Sequence, residues 1–240
     1  MLLRCEGLSK RFGGIVAVNN LSFDLKENEI LGIIGPNGAG KTTVLNLISG
    51  FYKPSSGTIF FNGRRVDGLP PNIIARLGIA RTFQIPRPFK NLTVFQNLLI
   101  AAINCGNFGS RSSAEKEVEK VLHMVGLEDK RNWPAGNLTS AELRRLELGR
   151  ALCTKPRLLL ADEVAAGLRE HEIPEMLSVF KMLKDMGLSI IVVEHVMPFL
   201  MKIAERVIVM HLGEKLAEGT PEEVSKDTRV VEIYLGRRGA

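Results

Sequence analysis

The sequence predicts an α/β fold in which a mixed-sheet core is flanked by an antiparallel β subdomain and interrupted by an inserted helical subdomain. Three features point there. Short apolar runs alternate with helical spacing in the second half, the first third reads as turn-linked strands, and strand signal fades between Pro86 and Pro156.

The antiparallel part is read from Leu2 to Leu8, Val18 to Leu25 and Thr58 to Asn62, with turns at Gly13-Gly14 and Asn62-Gly63. Ile30 to Ile34 has the length and β-branched content of a buried strand, and Val44 to Ile48 behind it reads as helix. From Pro86 to Pro156 helices are expected around Thr93 to Asn104, Ala114 to Val125 and Ala141 to Thr154, with an exposed loop at Cys105 to Ser113. Leu158 to Ala161, Ser189 to Val193 and Val207 to Met210 are again buried strands. Helical spacing such as Ile173, Met176, Phe180 and Leu183 separates them, as βαβ units of a parallel sheet require. The expected organisation is one domain over 1–240: a catalytic core from 1–85 and 157–240, and a helical lobe from 86–156.

At 240 residues with 45% apolar and 24% charged content, the chain can bury a real core, and disorder is not expected. Cys5, Cys105 and Cys153 lack the paired spacing of a zinc or redox motif and read as packing residues of a reducing compartment. Met1 to Lys10 has no basic leader followed by an apolar run, and no stretch approaches the roughly 20 apolar residues that span a bilayer. A formal charge of +6 could favour polyanions, yet the basic residues are scattered apart from pairs such as Arg144-Arg145 and Arg237-Arg238. No nucleic-acid partner is expected.

Gly35-Pro36-Asn37-Gly38-Ala39-Gly40-Lys41-Thr42-Thr43 fits G-x-x-x-x-G-K-[ST]. A glycine-rich turn capping a helix would satisfy the spacing alone, but the strand before it and the helix after it are the context that phosphate binding needs. Residues without Cβ let consecutive N–H groups curl around a β-phosphate at a helix N-terminus. Lys41 would reach the β and γ oxygens, Thr42 would give a hydroxyl to Mg²⁺, and Thr43 would touch the α-phosphate.

Leu158 to Ala161 leads into Asp162-Glu163, two acids at the carboxyl edge of a parallel sheet, where such sheets bind ligands. Asp162 would hold Mg²⁺ through water and Glu163 would polarise the attacking water. His195 follows another strand end and would reach the γ-phosphate and that water. Read alone, it is equally a surface or core histidine.

These elements, in this order around a helical insertion, resemble the nucleotide-binding domain of ABC transporters over essentially the whole chain. The resemblance implies a P-loop NTPase core of the RecA-like kind, with ATP and Mg²⁺ as its ligands. Phe12, in Lys10-Arg11-Phe12-Gly13-Gly14, matches the aromatic residue that stacks on adenine. Gln84, in Arg81-Thr82-Phe83-Gln84, matches the glutamine that contacts Mg²⁺ and water and links the core to the helical lobe.

The family's L-S-G-G-Q signature aligns with Leu138-Thr139-Ser140-Ala141-Glu142. Both glycines are replaced, and Glu142 stands where a neutral glutamine is usual. Thr139 and Glu142 also make a capping box, compatible with a helix N-terminus that faces a γ-phosphate. Val164 and Arg169 stand where proline and aspartate are typical.

The resemblance further implies two cassettes facing head to tail, as homodimer or heterodimer. Each ATP then lies between the phosphate loop of one and Thr139, Ser140, Ala141 and Glu142 of the other. Transmembrane permease subunits and a solute-binding protein complete the assembly, and the chain sits in the cytoplasm on the inner face of the membrane. Phe89, Leu92 and Val94 are either contacts to the permease or ordinary core residues. Ile79 to Phe83, Asp162 to Leu168 and the tail Val230 to Gly236 resemble ATPases of branched-chain amino acid importers. The alternatives are a soluble ABC-type ATPase or a regulatory nucleotide-binding subunit with weak turnover. A GTPase is disfavoured because no Asn-Lys-x-Asp motif occurs.

Overall fold

The structure is a computed structural model that describes residues 1–169 and 172–235. The chain begins with a long hairpin, β1 (Leu3–Phe12) and β2 (Ile15–Leu25), followed by β3 (Ile30–Ile34) and α1 (Lys41–Ile48). After β4 (Ser56–Phe61), β5 (Arg64–Arg65), α2 (Pro71–Arg76) and β6 (Ile79–Arg81) comes a purely helical stretch. It consists of α3 (Val94–Cys105), α4 (Arg111–Met124) and α5 (Ser140–Leu152). The rest alternates: β7 (Leu158–Asp162), α6 (Ile173–Asp185), β8 (Ser189–Val193), α7 (Met197–Ile203), β9 (Arg206–His211), β10 (Glu214–Gly219), α8 (Pro221–Lys226) and α9 (Thr228–Leu235). Gly236 of the C-terminal motif lies outside the described residues.

Two sheets form. One is antiparallel, ordered β2-β1-β4-β5, and the other is ordered β10-β9-β3-β8-β7-β6, parallel except for its β9–β10 hairpin. In the parallel strands neighbouring residues serve different cores, because side chains alternate across a sheet. Leu159, Ile190, Val192 and Val207 join one apolar cluster with α3 to α7. Leu158, Leu160, Ile191 and Ile208 join the other, with α1 and the antiparallel sheet. Burial on both faces explains why these strands read as unbroken apolar runs.

Two expectations change in detail, and one left open is resolved. The polar loop predicted at Cys105 to Ser113 is shorter, because α3 runs through Cys105 and Ser110 caps α4 with its hydroxyl on the Ser113 amide. Val94 is fully buried within the helical lobe and is a core residue, whereas Phe89 is 48% exposed. The two acids do not both end a strand: β7 stops at Asp162, and Glu163 takes φ 51, a left-handed conformation. Cys5 and Cys153 are buried free thiols, and burial pushes Cys153 up to about 12.

Candidate active site

Strand order brings the site together. β8 lies between β3 and β7, and β6 flanks β7 on the other side, so four chain-distant segments emerge at one sheet edge. They carry the glycine-rich loop, His195, the acid pair and Gln84.

The buried β3 delivers the chain into the loop at Gly35, whose φ is 150 and where a Cβ would sit 2.2 Å from the Met210 carbonyl oxygen. Only glycine fits such an approach. Ala39 is buried, Pro36 half-buried, and Asn37 and Gly38 exposed, so the loop presents its tip to solvent. α1 starts at Lys41 after Gly40 without any side-chain cap, which leaves its first amides to a ligand. Thr42 is exposed on that first turn and Thr43 is half-buried. The Lys41 ammonium donates to the carbonyls of Gly35 at 2.7 Å and Pro36 at 3.0 Å. Burial holds its pKa below the ordinary lysine range, while the Glu163 and Asp162 carboxylates oppose that shift.

Asp162 is 2% exposed. Its Oδ2 accepts from Arg81 Nη2 at 2.9 Å, its amide donates to Thr82 Oγ1 at 3.1 Å, and its Oδ1 is buried without a hydrogen-bond partner. Burial raises the Asp162 carboxyl, opposed chiefly by the Arg81 guanidinium. Glu163 is held from both sides: Gln84 Nε2 donates to Oε2 at 2.7 Å, and His195 Nε2 lies 3.1 Å from Oε1. Its left-handed backbone turns the side chain out of the strand line, while its amide still donates to the Val193 carbonyl at 2.9 Å. Glutamine, glutamate and histidine thus meet as one polar group, ordered around the acid suited to activate water.

Phe12 sits at the tip of the β1–β2 hairpin, 41% exposed, with its ring edge-on to Tyr52 at 5.1 Å. Lys10 Nζ lies 5.1 Å from the Phe12 ring centroid.

Two site residues escaped the sequence reading. Glu194 is fully buried, and its carboxylate accepts from the amides of Ala165 at 2.6 Å and His195 at 3.2 Å, tying the turn behind Glu163 to the His195 loop. An acid directly after an unbroken apolar strand was the available signal. Arg144 on α5 donates to the Glu163 carbonyl at 2.8 Å, so the signature helix touches the acid turn of its own chain.

Burial raises the Glu194 carboxyl above its usual range, opposed by the three amides it faces. A folded-state pKa above the unfolded value means that this group's stabilisation is complete below the unfolded pKa and is lost as pH rises through the folded one. Glu194→Gln keeps one acceptor and no charge. The variant should therefore gain melting temperature relative to wild type as pH rises from acid to neutral. Losing one buried hydrogen bond should also cost about 1–3 kcal/mol of stability at every pH, as the same melts would record. A parallel shift of both stability profiles with pH would count against this role.

At the signature, Thr139 caps α5. Its hydroxyl accepts from the Glu142 amide at 3.3 Å, and its own amide donates to Glu142 Oε2 at 2.9 Å. Glu142 also pairs with the Lys130 ammonium. Burial alone would raise the Glu142 carboxyl, but the Lys130 and Thr139 contacts overcome it and hold it below the usual range. Ser140 is exposed and Ala141 half-buried on the same first turn. The unexpected carboxylate is neutralised by Lys130 rather than left to face an anion.

A phosphate-type loop on one strand and an acid pair on the next but one define a P-loop nucleotide-binding domain. The chain belongs to the ABC transporter family, whose match covers residues 18–166. Residues 214–240 match a second family, described as branched-chain amino acid ATP-binding cassette transporter. The high-affinity branched-chain amino acid transport ATP-binding protein LivG of Salmonella typhimurium is 42% identical over 98% of both chains. BraF of Pseudomonas aeruginosa, of the same description, is 39% identical over 98% of both. Among solved structures, the ADP conformation of the ATP-binding cassette MJ1267 superposes with a TM-score of 0.88 at 31% identity, covering 98% of this chain and 99% of that one. The dimeric post-hydrolysis state of the cassette MJ0796, bound to ADP and Pi, gives 0.83 at 25% identity, covering 92% and 99%.

Proposed function

We propose that this chain is the ATP-hydrolysing subunit of an ABC importer for branched-chain amino acids or related small solutes, working as one of two facing cassettes on transmembrane permease subunits that receive solute from a binding protein. The observation that carries the proposal is the convergence of Lys41, Asp162, Glu163, Gln84 and His195 at one sheet edge. LivG and BraF bring the amino-acid class, and the dimer of MJ0796 brings the second cassette.

In this reading Gly35 to Gly40 wrap the β-phosphate with backbone amides, Lys41 leaves its loop carbonyls for the β and γ oxygens, and Phe12 offers a ring face to adenine. Thr43 contacts the α-phosphate. Glu163, oriented by Gln84 and His195, accepts the proton of the attacking water, and His195 also faces the γ-phosphate. Thr139, Ser140, Ala141 and Glu142 meet the ATP of the partner cassette.

Mg²⁺ fits the residues present. Asp162 Oδ1 is a buried acceptor without a partner, suited to hold a hard cation through water, and Thr42 and Gln84 are the further oxygen donors. When bound, the ion would neutralise charge on the β and γ phosphates.

No described helix is long and apolar enough to cross a membrane. Membrane attachment would then use the groove of about 310 Å³ between the sheet edge and the helical lobe, proposed as 86–156, where Phe51, Phe83 and Phe89 are exposed. The test is reconstitution with the permease subunits in vesicles, following ATP-dependent movement of leucine, isoleucine and valine against lysine as control. ATP hydrolysis without selective movement of the branched-chain residues would overturn the substrate assignment.

A further inference from the structure

Arg81 is an unusual residue to find under a metal ligand. Its side chain is 6% exposed, with both terminal amines bonded and Nε buried without a partner. One amine grips Asp162 Oδ2 at 2.9 Å, and the other donates to Asn46 Oδ1 at 2.6 Å and Ser49 Oγ at 3.2 Å, at the C-terminal end of α1. The guanidinium carbon lies 5.8 Å from the centroid of Phe51 and 5.2 Å from that of Phe83, and those two rings pack edge to face. Phe51 and Phe83 are 48% and 37% exposed, and both line the groove between sheet edge and helical lobe, as does Arg81 itself.

A guanidinium is a rigid planar fork, so fixing one of its amines on α1 fixes the direction of the other. Anchoring one carboxylate oxygen leaves the second only rotation about that contact, and burial restricts that rotation. In Asp162 that second oxygen is the one buried without a partner. Lysine carries its donors on one flexible ammonium and lacks the planar fork that fixes one direction by another.

We propose that Arg81 is a positioning residue: gripped by α1 through Asn46 and Ser49 and flanked by the Phe51 and Phe83 rings, it aims the free oxygen of Asp162 at the divalent cation of the nucleotide. This rests on the nucleotide-binding role proposed above.

The test compares nucleotide affinity in saturating Mg²⁺ with that in EDTA, by calorimetry with ADP on the full chain. The ratio of the two isolates what the metal contributes, without any turnover. Residues that orient a metal ligand are worth on the order of tenfold in metal affinity, so Arg81→Gln and Arg81→Lys should each lower the ratio about tenfold, leaving affinity in EDTA within about twofold. Phe83→Ala should lower it in the same direction by a smaller factor. An unchanged ratio in folded Arg81→Gln overturns the proposal. Should that variant fail to fold, Asn46→Ala decides: a lowered ratio supports the clamp and an unchanged one overturns it. Wild type that binds ADP equally well with and without Mg²⁺ removes the metal role and this inference with it, whereas wild type that binds no nucleotide at all overturns the functional reading underneath.

Discussion

Lys41→Ala is expected to weaken ATP binding at least about 100-fold, because each charge-assisted hydrogen bond to phosphate contributes about 1.5–3 kcal/mol and two are lost together. The environment adds to the loss. Lys41 lies beside Asp162 and Glu163, so its removal leaves two carboxylates facing a triphosphate, with Arg81 already paired to Asp162 and Arg144 bonded to the Glu163 carbonyl. The fold should survive. The lysine spans only the carbonyls of Gly35 and Pro36 in its own loop, and the glycine conformations there are fixed by Met210 and Ala17 packing rather than by the ammonium. Calorimetry with Mg-ATP, alongside a thermal melt, checks both halves; retained binding heat in the variant would sink the assignment of the phosphate loop.

Glu163→Gln separates binding from chemistry. The amide keeps the size of the side chain, and its oxygen can still accept from Gln84 Nε2, so the geometry around the site should hold. It has no basic oxygen, and a positioned general base is worth about 10²–10⁴-fold. Turnover should fall by at least about 100-fold while ATP affinity stays within a few-fold, and ATP-bound paired cassettes should accumulate on a sizing column. Turnover by the variant close to that of wild type would move the base elsewhere, with His195 as the nearest candidate.

Much of the site was legible before any coordinates. The phosphate loop, the acids after Leu158 to Ala161 and the histidine after Ser189 to Val193 each sit at the end of an apolar run long enough to declare a buried strand. A parallel sheet then forces such ends to one edge. Short or amphipathic elements were less readable. β6 has three residues, and β10 reads Glu-Lys-Leu-Ala-Glu-Gly, a half-exposed edge strand without a clean apolar alternation. α2, α7 and α8 have six or seven residues each, too few for the 3.6-residue period to show.

Side-chain partnerships were the other blind spot. That Glu194 spans two loops, that Arg144 reaches the Glu163 carbonyl, and that Lys130 quenches Glu142 are all contacts across long chain separations. No spacing rule encodes them. The left-handed φ of Glu163 is similar: it follows from what β7 and β8 do around it, not from glutamate.

One apolar cluster runs without a break from Val94, Leu98 and Val118 in the helical lobe to Leu159, Val192 and Val207 in the sheet. Beneath the groove, the contact between the two is apolar and close-packed. Close-packed interiors do not deform continuously, so the lobe has to slide in small steps with its side chains interlocked, a shear rather than a hinge.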